Sequence, residues 1–133
     1  MKKRFLSLAL VSLLTVISAI SVAAKSSEET GSISGYGVTF RNEISASLLN
    51  GNASTSVGYP TMQAYVDADF YWIDVVTGDR GICQKAAGHD GGITVLADSL
   101  ADTDKIYYKV ISYHSAQFGG MSLTCPELTT TIP

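Results

Sequence analysis

Residues 61–76, "TMQAYVDADFYWIDVV", alternate with almost no error. Met62, Ala64, Val66, Ala68, Phe70, Trp72 and Val76 point one way, and Gln63, Tyr65, Asp67, Asp69 and Tyr71 point the other. A period of two is the signature of a strand with one face packed and the other in water. Met62, Val66, Phe70 and Trp72 are therefore expected in the core, and Trp72→Ala is expected to cost about 3–5 kcal/mol.

Other short β-favouring runs follow the same logic: "GYGVTFR" (35–41), "EISASLLN" (43–50), "ASTSVGY" (53–59), "RGICQKA" (80–86), "GITVLAD" (92–98), "KIYYKVISYHS" (105–115) and "GMSLTC" (120–125). Between them stand "NGN" (50–52), "TGDR" (77–80), "HDGG" (89–92) and "FGG" (118–120), which supply the glycine and asparagine that reversals need. Strands spaced this evenly predict an all-β fold, a small antiparallel β-sandwich of about seven or eight short strands. Residues 35–126 form the expected single domain, residues 25–34 ("KSSEETGSIS") a flexible leader with little to bury, and residues 127–133 a C-terminal tail.

At the N-terminus, Lys2, Lys3 and Arg4 precede an apolar run to about Ile20 and then "SVAAK". This pattern reads as a secretory signal peptide over residues 1–24, cleaved after Ala24 or after Ala23. Secretion, with no membrane span after cleavage, is the expectation. The segment holds three of the nine Lys and Arg and none of the twelve Asp and Glu, so the remainder carries a net charge of −6. A surface of that sign disfavours nucleic acid and electrostatic docking on anionic lipid.

Cys83 and Cys125 are the only cysteines. In an oxidising compartment an even pair is most simply a disulfide. Free thiols or a metal site are the competing readings, the latter weakened because paired ligand spacing is missing.

The solvated stripe of Tyr65, Asp67, Asp69 and Tyr71 is the first candidate site. In residues 105–115, Ile106, Tyr108, Val110, Ser112 and His114 share one face, and Tyr107, Lys109, Ile111, Tyr113 and Ser115 the other. The pattern leaves the inward face open. With Ile106, Tyr108 and Val110 inside, Tyr107, Lys109 and Tyr113 join the first stripe in one aromatic and acidic surface, suited to a cell-surface glycan or a protein. The competing reading is a solvated sheet face held by cross-strand pairs and needing no ligand.

No nucleophile, base and acid converge in the sequence, so no catalytic residue, metal or cofactor is expected, and the chain reads as a non-enzyme. His89 and His114 read as surface or turn residues. Asp98, Asp102 and Asp104 lack the glycine and distal glutamate of a calcium loop and read as solvated.

The signal-like N-terminus, the strand-rich domain and "KVISYHSAQFGGMSL" (109–123), with its His-Ser pair and glycine hairpin, resemble small secreted β-sandwich proteins of Gram-positive bacteria, including lactococcin-type bacteriocins. The chain departs from them in its greater length and two cysteines, and no functional residue carries over. The resemblance implies an extracellular, non-enzymatic role. A binding or interaction module is expected, with a bacteriocin-like antibacterial protein as the alternative.

Overall fold

The computed structural model describes residues 24–100 and 104–132, so the signal-peptide reading falls almost wholly outside the described residues. The described chain is all β: β1 (Lys25–Ile33), β2 (Tyr36–Ile44), β3 (Gly51–Val57), β4 (Gln63–Asp74), β5 (Arg80–Asp90), β6 (Ile93–Leu96), β7 (Lys105–Phe118) and β8 (Met121–Thr131). They form two antiparallel four-stranded sheets, β1-β2-β3-β6 and β5-β4-β7-β8, in a sandwich-like arrangement. Among the described residues, no helix is long and apolar enough to cross a membrane.

The stretch at 61–76 behaves as its alternation dictates. Met62, Ala64, Val66, Ala68 and Phe70 are buried. Trp72 is a correction: it is only half-buried, at the rim of the core. Its ring lies over its cross-strand partner Gly81, where an added Cβ would meet it at 2.3 Å, and the Lys105 ammonium sits 4.7 Å from the ring centroid.

Four expectations about the chain are overturned. Residues 25–33, read as a flexible leader, form β1, paired with β2 from Lys25↔Ile44 to Ile33↔Tyr36. A strand at a sheet edge needs few apolar residues, because β2 supplies its hydrogen bonds and its outer face stays in water. The tail at 127–133 instead continues β8 through Thr131, and Ile132 is buried, its N–H donating to the Tyr108 carbonyl at 2.8 Å. The run at 43–50 is no strand: after Ile44 the chain loops, driving Leu48 into the core at a φ of 62°. The strain is offset by burial and by the Tyr107 N–H, which donates to the Leu48 carbonyl at 2.8 Å. The expected hairpin at "NGN" is thus a longer loop, and Gly51 serves close packing, since a Cβ there would lie 2.9 Å from the Phe70 ring.

The disulfide is the fourth correction. Cys83 lies on β5 and Cys125 on β8, opposite edges of one sheet with β4 and β7 between, and both are free thiols. Three strand spacings alone separate them by roughly 14 Å across the sheet, already twice the ~7 Å limit for bridged Cα atoms.

Two register shifts decide which way the last strands face. Tyr71 pairs with Lys109 but Trp72 with Tyr107, leaving Tyr108 as an extra residue. Ser112 pairs with Leu128 but His114 with Cys125, so Pro126 and Glu127 stand against Tyr113 alone. A bulge accommodates Pro126, which has no N–H for the ladder. Past it the buried positions change phase, from Cys125 to Leu128, Thr130 and Ile132.

The interior has two apolar clusters, one around Phe70, Val110, Ile44 and Leu48, the other around Phe40, Val38, Met62 and Leu128. Between them runs a buried polar belt of Asn42, Thr55, Ser112, His114 and Thr130. His114, read as a surface or turn residue, belongs to it. The seam between β1 and β8 is closed by Ser27, whose hydroxyl lies 2.9 Å from the Thr129 carbonyl and 2.7 Å from Thr130 Oγ1.

Candidate functional site

The outer face of the β5-β4-β7-β8 sheet is a grid fixed by register. Asp90, Gln63, Gln117 and Ser122 form one row across the strands, Gly88, Tyr65, Ser115 and Thr124 the next. Then come Ala86, Asp67 and Tyr113, then Gln84, Asp69, Ile111 and Thr129, then Ile82, Tyr71, Lys109 and Thr131. Strand alternation on β4 and β7 therefore brings Tyr65, Asp67, Asp69, Tyr71 and Tyr113 to one surface.

Tyr107 does not belong there. The bulge turns it inward, where it is buried and its hydroxyl donates to the Asp98 carbonyl at 2.6 Å. Burial, with Cys83 and Asp98 nearby, pushes its phenol well above the ordinary value. Tyr108 takes its place outside, with its ring centroid 6.3 Å from that of Tyr71 and the Arg80 guanidinium 5.7 Å away.

The two ends of the grid differ. Lys109 covers the Tyr71 ring at 5.1 Å, and partial burial followed by Asp69 raises the Tyr71 phenol. That end has its own cations over its rings. Tyr65 and Tyr113 are more open, 44% and 40% exposed. Tyr65 leans over Gly88, where an added Cβ would lie 3.4 Å from the ring edge. A groove of about 410 Å³ runs past Gln63, Tyr65, Gly88, Asp90, Ser115 and Gln117. It shares Gln63 and Gln117 with a second groove of about 530 Å³ toward Phe118 and Met121. A third, about 340 Å³, lies over Asp67, Asp69, Gln84 and Lys85.

Gln117 and Gln63 were not singled out in the sequence. Gln63 lay on the polar stripe all along, whereas Gln117 needed β7 to continue to Phe118. Chemically, the open end offers amide donors and acceptors, hydroxyls, a carboxylate, the His89 imidazole and one aromatic ring, a set that hydrogen-bonds and stacks.

Of the groups with catalytic chemistry, His114, Ser112 and Cys125 are buried, whereas His89 lines the groove itself. His114 Nε2 meets Ser112 Oγ at 2.7 Å, but both are buried. Burial, opposed by Glu29 and the Ser54 backbone, lowers His114 to about 4. Burial and the Glu29 carboxylate at 3.3 Å push the Cys125 thiol up to about 11. His89 is exposed and its Nδ1 meets the Asp90 carbonyl. Lys85 and Asp98 pair at 2.7 Å, which raises the lysine and lowers the carboxyl, with the Cys83 thiol also near Asp98 at 3.5 Å. Among the described residues, no three His, Cys, Asp or Glu side chains converge as metal ligands.

Fold and site together define a two-sheet antiparallel β-protein with a tyrosine, amide and carboxylate face. No family model, no curated protein and no solved structure matches the chain.

Proposed function

We propose that this protein is a secreted, non-enzymatic binding module that recognises an uncharged glycan with the outer face of β5-β4-β7-β8. The observation that carries the reading is the open end of the grid. There Tyr65, Gln63, Gln117, Ser115 and Asp90 converge on one groove. Sugars are bound by such sets: an aromatic ring receives the C–H face while amides and carboxylates take the hydroxyls. The carboxylates on this face disfavour anionic polymers and accept hydroxyl protons. The sealed positions of Ser112 and His114 and the raised Cys125 thiol support binding over catalysis. The extracellular setting rests on the signal-like residues 1–24.

The test is retention of residues 25–133 on immobilised neutral glycans and cell-wall polysaccharide. Wild type is retained, and Tyr65→Ser with Tyr113→Ser is not. Equal retention of both proteins, or capture of a protein with no glycan bound, overturns the reading.

A further inference from the structure

Three separate connections meet at one pole of the molecule and place three aromatic rings against one another. Tyr36 follows the Ser34–Gly35 turn, Tyr59 lies between β3 and β4, and Phe118 ends β7 before Gly119 and Gly120. Ring centroids are 4.8 Å apart for Tyr36 and Tyr59, 5.2 Å for Tyr59 and Phe118, and 5.8 Å for Tyr36 and Phe118. The Gly58 N–H donates to the Gly37 carbonyl at 2.8 Å and locks two of the connections together. The triangle is not sealed: Tyr36 and Tyr59 are each 37% exposed, and Met121, the cross-strand partner of Phe118, is 50% exposed.

These three connections lack charge. Residues 30–40, 44–66 and 110–126, which build these three connections and the strands leading into them, contain no Asp, Glu, Lys or Arg. The fourth connection at this pole, the β5–β6 turn, brings Asp90 beside Gln63, with His89 next to it. Asp74, Asp79, Arg80, Asp98, Asp104 and Lys105 all lie in connections or at strand ends of the opposite pole. Gly35, Gly119 and Gly120 have positive φ and open space where a side chain would stand, so the tips of two hairpins are bare backbone.

We propose that this aromatic pole docks the protein on an electrically neutral, zwitterionic lipid bilayer, with the strands upright and the acidic pole turned to water. Tyr and Phe favour the boundary between hydrocarbon and headgroups, where a ring is buried and a phenol stays hydrated. Bare turns carry backbone groups that hydrocarbon cannot satisfy, so entry stops at the headgroup level where water remains. Charge decides the lipid: the pole offers no cation to an anionic surface, and the net −6 of the remaining chain repels one. A protein partner fits less well, because the three aromatic connections present no charged group to fix its orientation.

The experiment uses residues 25–133 and phosphatidylcholine vesicles. Wild type co-sediments with them, and binding changes little up to about 0.5 M salt. Met121→Asp alters an exposed side chain outside the ring triangle and leaves the melting temperature unchanged. It lowers vesicle binding by roughly tenfold or more. In Tyr59→Trp, the introduced indole shifts to the blue and is quenched by brominated acyl chains, while Trp72, far from this pole, is not. Tyr65→Ser leaves vesicle binding intact, which separates this proposal from the glycan site. Three results overturn the proposal: no binding to phosphatidylcholine, binding only to phosphatidylglycerol vesicles, or a concentration-dependent dimer broken by Met121→Asp with no lipid bound.

Discussion

His114 Nε2 lies 2.7 Å from Ser112 Oγ in the middle of the core, and one consistent set of donors and acceptors runs through that contact. Thr55 Oγ1 donates to the Tyr65 carbonyl at 2.9 Å, so at 3.0 Å it accepts from His114 Nδ1–H. Nε2 then accepts from Ser112, whose oxygen receives one Asn42 amide proton at 2.8 Å; the other goes to the Leu128 carbonyl at 2.7 Å. Thr130 donates to Asn42 Oδ1 at 2.5 Å. The assignment requires neutral His114, in agreement with its lowered pKa. No buried side-chain nitrogen or oxygen among the described residues is left without a partner.

Acid should weaken the fold through this histidine. Folded His114 takes a proton only near pH 4, whereas the unfolded chain takes it near 6.5. Between these values the unfolded state binds more protons, so stability is complete above about 6.5, falls as the pH drops toward 4, and then levels. The loss is on the order of 3 kcal/mol. Glu29 is the charged group facing His114 and opposes the shift. Melting temperature against pH should therefore fall more steeply for wild type than for His114→Gln across this window; parallel curves would refute the assignment.

Asn42 ties β2 to β7 and β8. Asn42→Ala strands Ser112, Thr130 and the Leu128 carbonyl without one partner each, at a cost of about 3 kcal/mol or more. Urea denaturation gives the value. A change under about 1 kcal/mol would show that water or relaxed neighbours replace the amide.

Two neighbouring apolar positions on the inward side of one run should separate. Phe70 is buried and Trp72 half-buried. Phe70→Ala is expected to cost about 3–5 kcal/mol and Trp72→Ala about 1–2 kcal/mol. Equal losses would place Trp72 in the core after all. Gly51→Ala, pressed against the Phe70 ring and the Glu43 carbonyl, should cost about 1–3 kcal/mol by overpacking.

The cysteines should alkylate at different rates. Cys83 is partly exposed and Cys125 is buried, its thiol pushed up to about 11. Iodoacetamide is expected to label Cys83 in the native protein and Cys125 only after unfolding, since the thiolate is the reacting form. A native mass lacking two hydrogens, with both residues protected, would restore the disulfide.

The sequence by itself determined the class of structure. Alternation over residues 61–76 defined β4 and sorted Val66 and Phe70 from Tyr65 and Asp67, because a strand's two faces are set by its own backbone. Glycines at 78, 91, 92, 119 and 120 marked three reversals, because positive φ is a local requirement. Tertiary structure decided whatever depends on a neighbouring strand. Tyr107 rather than Tyr108 turned inward because one extra residue on β7 changed the register, and a bulge reverses every face beyond it. Residues 25–33 became a strand because β2 paired with them, and Cys83 and Cys125 stayed apart because β4 and β7 lie between. His114 became interior because Thr55, Ser112 and Asn42 satisfy its ring there, and hydrogen bonds between strands distant in sequence leave no mark on local pattern.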